Sequence, residues 1–377
     1  MKIKILIPSL VLGGAERACM NLASFLSSCG HEVEMQICSR KKAFYKLKNN
    51  IHLSVMPFIG FTRLSFATCW LYSVYWLFFP RKKPDLVISF LWLTNNFAAV
   101  LQKITGVPVI LAIRNNPRQH FPPDMLLKEC RKNFRYASKI VTLADGASVY
   151  MQKAFSLQKE QLCVIHNPVH PLSADDGIRP ANTPGHYLLA VGRLAPQKGY
   201  PRMLRIFAEV HKLFPDEKLV ICGEGPSRKH VESIIQDLSL TDSVILTGAC
   251  KNIGAWYRHA DALIHTSHYE GQPNVLLEAQ SCGCPVIAFA CDYGPSYLIL
   301  HQKTGLVIPN GDEGAMVKAV IHYLNHPERK QEFQKNMPEH IKQFAPEKIY
   351  PQWNELIHKI INERDNHISH PQRESKK

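Results

Sequence analysis

The feature that most constrains the fold is a repeated order of short apolar runs, glycine-containing turns and helix-like segments. Residues 2–8 have the pattern of a buried strand, 13–14 of a glycine turn, 18–29 of a helix and 32–38 of a second strand. A doubly wound parallel sheet requires this order. The same order begins again at 187–191, after a polar passage rich in proline and glycine. The sequence therefore predicts an α/β protein with two Rossmann-like domains.

The length of the chain agrees with two domains, because 377 residues exceed what one small core accommodates. We expect an N-terminal domain at 1–168 and a C-terminal domain at 186–345. The polar passage at 169–185 has the composition of an interdomain linker. A helix is predicted at 346–363, followed by a polar tail at 364–377 that is expected to fray.

Composition and charge limit the class of partner. A hydrophobic content of 46% with 20% charged residues is typical of globular chains, and the formal net charge of +14 favours an anionic partner. Nucleic acid is not supported, because no Lys/Arg-rich helix or aromatic RNA-binding signature appears. The eleven cysteines lack the Cys-x-x-Cys spacing, and residue 1 leads directly into a strand pattern without a secretory signal. A reducing, cytoplasmic location is therefore expected.

Residues 64–79 form an aromatic segment without acidic residues, and a basic cluster follows at 81–83. The segment is too short for a comfortable transmembrane span. Aromatic side chains beside basic ones favour a helix lying in the membrane interface, whereas a buried amphipathic helix of the N-terminal sheet stays an equally open alternative. With the basic excess, we expect peripheral attachment to the cytoplasmic face of the membrane.

The second half contains a stretch that combines two carboxylates with a helix start. Glu270 follows the apolar run 262–265, Pro273 suits the first turn of a helix, and Glu278 lies about a turn and a half inside that helix. Free N–H groups between the carboxylates would face an anion, aided by the helix dipole. A nucleotide sugar, with phosphate in the middle and hydroxyls at both ends, fits this pattern. On spacing alone, a loop cap at Glu270 and a solvated Glu278 stay open.

Two further turns of the second half are candidates for phosphate and nucleotide contacts. Arg193 and Lys198 flank the turn after 187–191, where Arg offers a fork and Lys a point charge to a diphosphate, although such loop residues are often merely solvated. Gly223 lies in a tight turn next to where a base or ribose would bind.

The first half offers a glycine turn and a polar strand end. Gly14 belongs to a glycine pair that would let the backbone approach a phosphate, but the GxGxxG fingerprint of NAD-binding domains is absent. Arg114 and Asn115 follow the apolar run 107–113, at the strand end where open α/β sheets bind ligands. A charged turn without function is the alternative for this pair.

Three of these segments resemble glycosyltransferase family 4, a family of retaining enzymes with the GT-B fold. They are Gly-Gly-Ala-Glu-Arg at 13–17, Gly-Arg-Leu-x-x-x-Lys-Gly at 192–199 and the Glu-x7-Glu motif at 270–278. The resemblance covers most of the chain and is strongest from 192 to 309. It implies two Rossmann-like domains that face each other across a cleft, with the helix at 346–363 packing back across both.

The resemblance also implies roles for individual residues. Glu270 would contact the hydroxyls of the donor sugar, and Glu278 the ribose of the nucleotide. Arg193 and Lys198 would bind the donor phosphates. These two residues and Glu270 are the expected catalytic groups. Backbone groups near the diphosphate would come from Asn274, Val275 and Leu276.

For the first half the resemblance is less specific. It places the loop of Gly14 between donor and acceptor. Many members have a histidine near 114–115, whereas this chain resembles the branch with Arg-Asn-(Asn/Asp)-Pro, and His120 does not match in register. Arg114 and Asn115 are therefore the candidates for the acceptor side.

The implied enzyme is a hexosyltransferase that moves a hexose or N-acetylhexosamine from a nucleoside diphosphate sugar, with UDP expected, to a lipid-linked or growing surface glycan. Such reactions belong to polysaccharide and lipopolysaccharide biosynthesis. A Gly-Pro-Ser segment at 294–296 resembles enzymes that add N-acetylhexosamine. No metal and no cofactor are expected, since no Asp-x-Asp follows a predicted strand. A nucleotide-sugar 2-epimerase of the same fold and a non-catalytic basic peripheral membrane protein remain alternatives.

Overall fold

The computed structural model describes residues 1–10, 13–38, 50–55, 83–119, 124–172, 179–180, 183–250 and 252–369. The chain divides into two compact units. The first contains Met1–Asn167 together with Ile349–Lys377, and the second contains Pro168–Lys348. The predicted aromatic segment at 64–79, most of its basic cluster, His120 and the end of the tail lie outside the described residues.

The first unit is built on a seven-stranded parallel sheet with the order β3-β2-β1-β4-β5-β6-β7. In two of its central strands, at 2–7 and 86–90, every residue except Lys2 is buried, because helices cover both faces of the sheet. The strands are β1 (Lys2–Ile7), β2 (Glu32–Ile37), β3 (His52–Val55), β4 (Leu86–Phe90), β5 (Val109–Ala112), β6 (Lys139–Thr142) and β7 (Leu162–Val164).

The helices of the first unit follow the parallel strands as crossover connections. They are α1 (Gly14–Ser28), α2 (Trp92–Thr105), α3 (Asp124–Asn133) and α4 (Asp145–Phe155). Helix α1 begins four residues earlier than the predicted 18, because Gly13 is its N-cap and Gly14 is its first residue. The glycine pair is thus a helix start and not a separate turn.

The second unit has a six-stranded parallel sheet with the order β10-β9-β8-β11-β12-β13. This is the strand order of a Rossmann half-sheet with its switch point between β8 and β11. The strands are β8 (Tyr187–Val191), β9 (Lys218–Cys222), β10 (Val244–Gly248), β11 (Ala262–His265), β12 (Val286–Phe289) and β13 (Gly305–Ile308). The prediction of two doubly wound α/β domains is confirmed.

The helices of the second unit pack on both faces of its sheet. They are α5 (Tyr200–His211), α6 (Arg228–Asp237), α7 (Ile253–His259), α8 (Asn274–Ser281), α9 (Pro295–Leu298), α10 (Glu313–Leu324) and α11 (Glu328–Lys342). Val169, at the start of the predicted linker, is buried in the core of this unit and donates a backbone hydrogen bond to Phe344 O at 2.9 Å.

The last helix, α12 (Pro346–Ser369), begins in the second unit and continues in the first. Within the first unit, Ile349, Trp353, Ile357 and Ile360 recur at helical spacing and are buried in the core against the central sheet. None of the helices in the described ranges has both the length and the apolar character that crossing a bilayer demands.

Candidate functional site

The loops that follow β8 and β11 meet at the switch point of the second sheet, which is where open α/β sheets bind ligands. Two hydrogen bonds hold them together: His268 N donates to Gln197 O at 2.8 Å, and the side-chain Oγ1 of Thr266 donates to Lys198 O at 3.2 Å. The sequence-predicted residues Lys198 and Glu270 lie on these two loops. The topology therefore brings them to one edge of the sheet.

Glycines let the loops approach each other closely. A Cβ at Gly223 would clash with the carbonyl oxygen of Gly192, and one at Gly199 would clash with that of Thr266. Gly199 also has a φ of +67°, in the left-handed region that favours glycine. In the structure, Gly223 allows the loops after β8 and β9 to pack closely together.

Lys198 and Glu270 form a part-buried ion pair, with Lys198 Nζ 2.7 Å from Glu270 Oε1. Gln197 Nε2 donates to Tyr269 O at 2.8 Å and lies 3.4 Å from Glu270 Oε2. Burial opposes the charged form of Glu270, but Lys198 and His265 outweigh it and lower the pKa of the carboxyl. Glu270 is therefore an ionised hydrogen-bond acceptor at neutral pH.

His265 is a member of this cluster that sequence reasoning missed. It ends β11, is buried, and places Nε2 3.7 Å from Glu270 Oε1. Burial lowers the pKa of His265 to about 4, although Glu270 opposes the shift. The imidazole is neutral at pH 7, so Lys198 is the cation that neutralises Glu270. A polar residue at the end of the apolar run 262–265 was the available signal.

Arg202, also missed, holds the loop that carries Glu270. It is buried on α5 and donates from Nε to Thr266 O and from Nη2 to Ser267 O, both at 2.6 Å. Its guanidinium lies 4.4 Å from the centre of the Phe289 ring. The signal was an arginine on the apolar face of a predicted helix.

Helix α8 carries the second carboxylate of the motif. Pro273 is the N-cap and not the first helical residue, so the helix begins at Asn274. Asn274 and Val275 are half-buried and Leu276 is buried at its first turn. Glu278 is 7% exposed and accepts a hydrogen bond from Tyr257 Oη to Oε2 at 3.3 Å. The alternative of a solvated Glu278 is thereby wrong.

The remaining predicted residues lie on the loop after β8 and in the first unit. Arg193 is exposed on the loop after β8. Gly14 begins α1 in the first unit, where a Cβ would have no atom within 4 Å. Asn115 is half-buried beyond the end of β5.

Arg114 also belongs to the first unit. Its Nη1 donates to Ile165 O at 3.0 Å, and its guanidinium lies 4.9 Å from the centre of the Trp353 ring. These contacts give Arg114 a packing role that the sequence did not predict.

Comparison with known proteins gives matches to both halves of the chain. Residues 12–171 match the family model described as Glycosyltransferase Family 4, and residues 174–340 match the one described as Glycosyl transferases group 1. Together the two models span most of the sequence.

Two relatives are similar to this chain over nearly their whole length. A Campylobacter jejuni protein is 28% identical over 96% of this chain and 99% of its own, and is named GalNAc-alpha-(1->4)-GalNAc-alpha-(1->3)-diNAcBac-PP-undecaprenol alpha-1,4-N-acetyl-D-galactosaminyltransferase. The amylovoran biosynthesis glycosyltransferase AmsD of Erwinia amylovora is 26% identical, over 92% of this chain and 96% of the relative.

Solved structures have the same fold. Anabaena HepE in complex with UDP superposes with a TM-score of 0.79 at 18% identity, over 95% of this chain and 100% of that one. Sucrose-phosphate synthase from Thermosynechococcus elongatus superposes with a TM-score of 0.80 at 20% identity, over 96% of this chain and 99% of that one. The family models, the relatives and the fold agree: the chain is a glycosyltransferase of family 4 with the GT-B architecture.

Proposed function

We propose that the chain transfers a hexose or N-acetylhexosamine from a UDP-sugar to a lipid-linked or growing surface glycan, with retention at the anomeric carbon. The observation that carries the donor assignment is the part-buried Lys198–Glu270 pair at the switch point of the second sheet, beside the first turn of α8. The UDP complex of the similar HepE fold and the undecaprenol-linked acceptor in the Campylobacter relative's name support the choice of donor and acceptor.

In the proposed donor complex, Glu270 accepts hydrogen bonds from the hydroxyls of the transferred sugar. Its lowered pKa keeps it ionised, which suits an acceptor of two hydroxyl protons. Glu278, held by Tyr257, accepts hydrogen bonds from the ribose. The two carboxylates thus bind the two ends of the donor.

The diphosphate lies between these ends. Lys198 and the exposed Arg193 contribute positive charge, and the first turn of α8 contributes the positive end of its dipole through the backbone N–H groups of Asn274 and Val275. Leu276 lies in the same turn, but its N–H donates to Pro273 O at 3.0 Å. In the reaction the anomeric bond to the phosphate oxygen breaks while the acceptor oxygen bonds to the same face of the sugar, and the acceptor's proton passes to the departing phosphate. The cationic groups stabilise the growing negative charge on UDP, so the proposed transfer uses neither a metal ion nor a cofactor.

The acceptor side is assigned to the first unit. Arg114 and Asn115 follow β5 at the carboxyl edge of its sheet, as expected for residues near a ligand. The net charge of +14 favours a peripheral position on the anionic cytoplasmic face of the membrane, where a lipid-linked glycan would be presented.

The experiment is a donor panel with the purified full chain. UDP-GalNAc, UDP-GlcNAc, UDP-galactose, UDP-glucose and GDP-mannose are each incubated with an undecaprenyl-diphosphate-linked glycan, with and without EDTA. Mass spectrometry should detect the addition of one sugar from a UDP donor, equally with EDTA, and NMR should give an α-linkage. A 2-epimer formed from donor alone would instead identify an epimerase, and failure to bind any donor in a thermal-shift assay would contradict catalysis.

A further inference from the structure

Three polar side chains meet at the amino edge of the second sheet, at the opposite strand ends from the Lys198–Glu270 pair. His186, Glu217 and Asp261 each lie one residue before a strand, namely β8, β9 and β11. These strands are neighbours in the sheet. Since β8 has five residues, the two edges are about 17 Å apart. The cluster is therefore separate from the candidate donor site.

The side chains converge on one point. One nitrogen of His186 and one carboxylate oxygen each of Glu217 and Asp261 all lie within 4.8 Å of one another. In a metal site with bonds of about 2.1 Å, ligand atoms lie about 3 to 4 Å apart. The His186 side chain is 74% exposed and can approach by rotation, so only a small adjustment is needed.

Asp261 is already fixed in place. Its Oδ2 accepts a hydrogen bond from Tyr187 N at 3.0 Å, and its own N–H donates to Tyr187 O at 2.9 Å. The carboxylate is therefore oriented by the backbone of β8. His186 Nδ1 lies 3.4 Å from the same Oδ2.

The buried carboxylate of Glu217 points to a ligand. The residue is only 6% exposed, and its buried Oε1 has no hydrogen-bond partner in the part of the chain that the structure describes. Buried carboxylates are normally paired or bound to a metal, so this oxygen is costly to leave as it is.

The cluster is also accessible. It lines a pocket of about 360 Å³ whose other walls include Phe214, Pro215 and Tyr323. Lys330 reaches into the same pocket, where its Nζ lies 3.7 Å from Asp261 Oδ1 and donates to Ala260 O at 2.7 Å. Lys330 is thus a competing positive charge beside the cluster.

We propose that His186, Glu217 and Asp261 bind one divalent transition cation, such as Mn²⁺ or Zn²⁺, which ties together the starts of three strands. One imidazole nitrogen with two carboxylate oxygens suits these ions better than the oxygen-only shells of Mg²⁺ and Ca²⁺. The cation stabilises the second unit and takes no part in sugar transfer.

The test uses the EDTA-treated full chain and Mn²⁺, because the chain's cysteines would bind Zn²⁺ as thiolates. Electron paramagnetic resonance of the unbound ion should give one tight site per chain, with a rise in Tm on binding. Glu217→Gln and His186→Ala should each weaken binding about tenfold or more. Lys330→Gln should tighten it, because the competing charge is removed while a donor to Ala260 O remains.

The matched control is His326→Ala. His322 on α10 and His326, two residues beyond the end of that helix, form an i, i+4 pair with ring centres 4.3 Å apart, to which a cation could bind adventitiously. Loss of binding in His326→Ala but not in His186→Ala, unchanged binding in Glu217→Gln and His186→Ala, or no bound Mn²⁺ at all would overturn the proposal. If Glu217→Gln fails to fold, Mn²⁺ binding by His186→Ala tests the proposal alone, because the His186 side chain is exposed. Transfer activity does not enter this test, so it stands apart from the donor panel.

Discussion

The ion pair between Lys198 and Glu270 has structural and chemical roles that can be separated. Because the Glu270 side chain is 9% exposed, removing only its partner leaves a buried charge without compensation. Breaking a buried pair in this way costs about 3 to 5 kcal/mol, whereas removing both charges can be close to neutral.

We therefore predict that Lys198→Ala lowers the free energy of unfolding by about 3 kcal/mol, and that Lys198→Ala/Glu270→Gln recovers most of it. Urea unfolding measures both. In the proposed mechanism both variants lose about 100-fold or more in kcat/KM, because the leaving-group charge is no longer stabilised. A double variant that is stable and active would contradict the role of the pair, and Lys212→Ala, from an exposed pair with Glu209, is the control.

His265 makes the second unit sensitive to acid. Its pKa of about 4 in the folded chain lies below the ordinary 6.5, so the folded state disfavours the protonated ring. The stabilisation is complete above pH 6.5 and is lost as the pH falls towards 4. By pH 5 the loss is about 2 kcal/mol.

Replacing His265 with Leu should remove this pH-dependent part of the free energy of unfolding. The difference in the free energy of unfolding between pH 7 and pH 5 is expected to be about 2 kcal/mol smaller in His265→Leu than in the unmodified chain. Urea titrations at the two pH values measure it. His322→Leu, an exposed position on α10, should leave the difference unchanged, and an equal pH dependence in His265→Leu would show that another group titrates.

At the residue scale, the sequence predicted what depends on local order and missed what depends on distant contacts. Lys198 and Glu270 were found because each follows a strand, and parallel strands end at one edge. Tyr257 and Arg202 were missed because their partners lie 21 and 64 residues away or more. The packing role of Arg114 depends on Trp353, which no local pattern connects to it.

At the scale of elements, α7 positions the carboxylate of α8. Tyr257 on α7 is fully buried, and burial together with Glu278 raises the pKa of its phenol well above the ordinary value. The phenol therefore stays protonated and donates to Glu278 Oε2. The orientation of Glu278 depends on this contact between two short helices.

Tyr257→Phe should consequently weaken donor binding while the fold persists. The lost hydrogen bond costs about 1 kcal/mol of stability, and we expect the Kd for UDP to rise about five-fold. Tyr187→Phe is the matched control, since its buried hydroxyl donates to Trp256 O at 2.7 Å, also on α7 but not to Glu278. Calorimetric titration with UDP compares the two, and equal affinities would contradict a positioning role for Tyr257.

The observed bounds of β8 agree with the sequence prediction, whereas the observed start of α1 does not. The run 187–191 coincides with β8, because its apolar residues are all needed in the sheet. Helix α1 starts at Gly14, since the glycine pair that suggested a turn in fact caps and begins the helix. Such a start has no side-chain cap, so the sequence offered no sharper signal.

At the scale of the whole molecule, each unit has its own hydrophobic clusters, and α12 contributes to one of those in the first unit. Trp353 is buried there among the residues that cover the central strands, with the guanidinium of Arg114 against its ring. Phe333, on α11, is buried in the core of the second unit. The two aromatic residues lie 20 positions apart in adjacent helices but belong to different cores.

This division predicts two separable effects. Trp353→Ala should lower the stability of the first unit by about 3 to 5 kcal/mol through the cavity it leaves, and Phe333→Ala should do the same to the second. Native-state hydrogen exchange resolves the two, because amides of β1 and β4 report on one core and those of β8 and β11 on the other. We expect Trp353→Ala to accelerate exchange in β1 and β4 with little change in β8 and β11, and Phe333→Ala to do the reverse. Equal acceleration in all four strands by either variant would contradict this and mean that the two units unfold as one cooperative body. Residues 349–369, which complete the core of the first unit, would then stabilise both units.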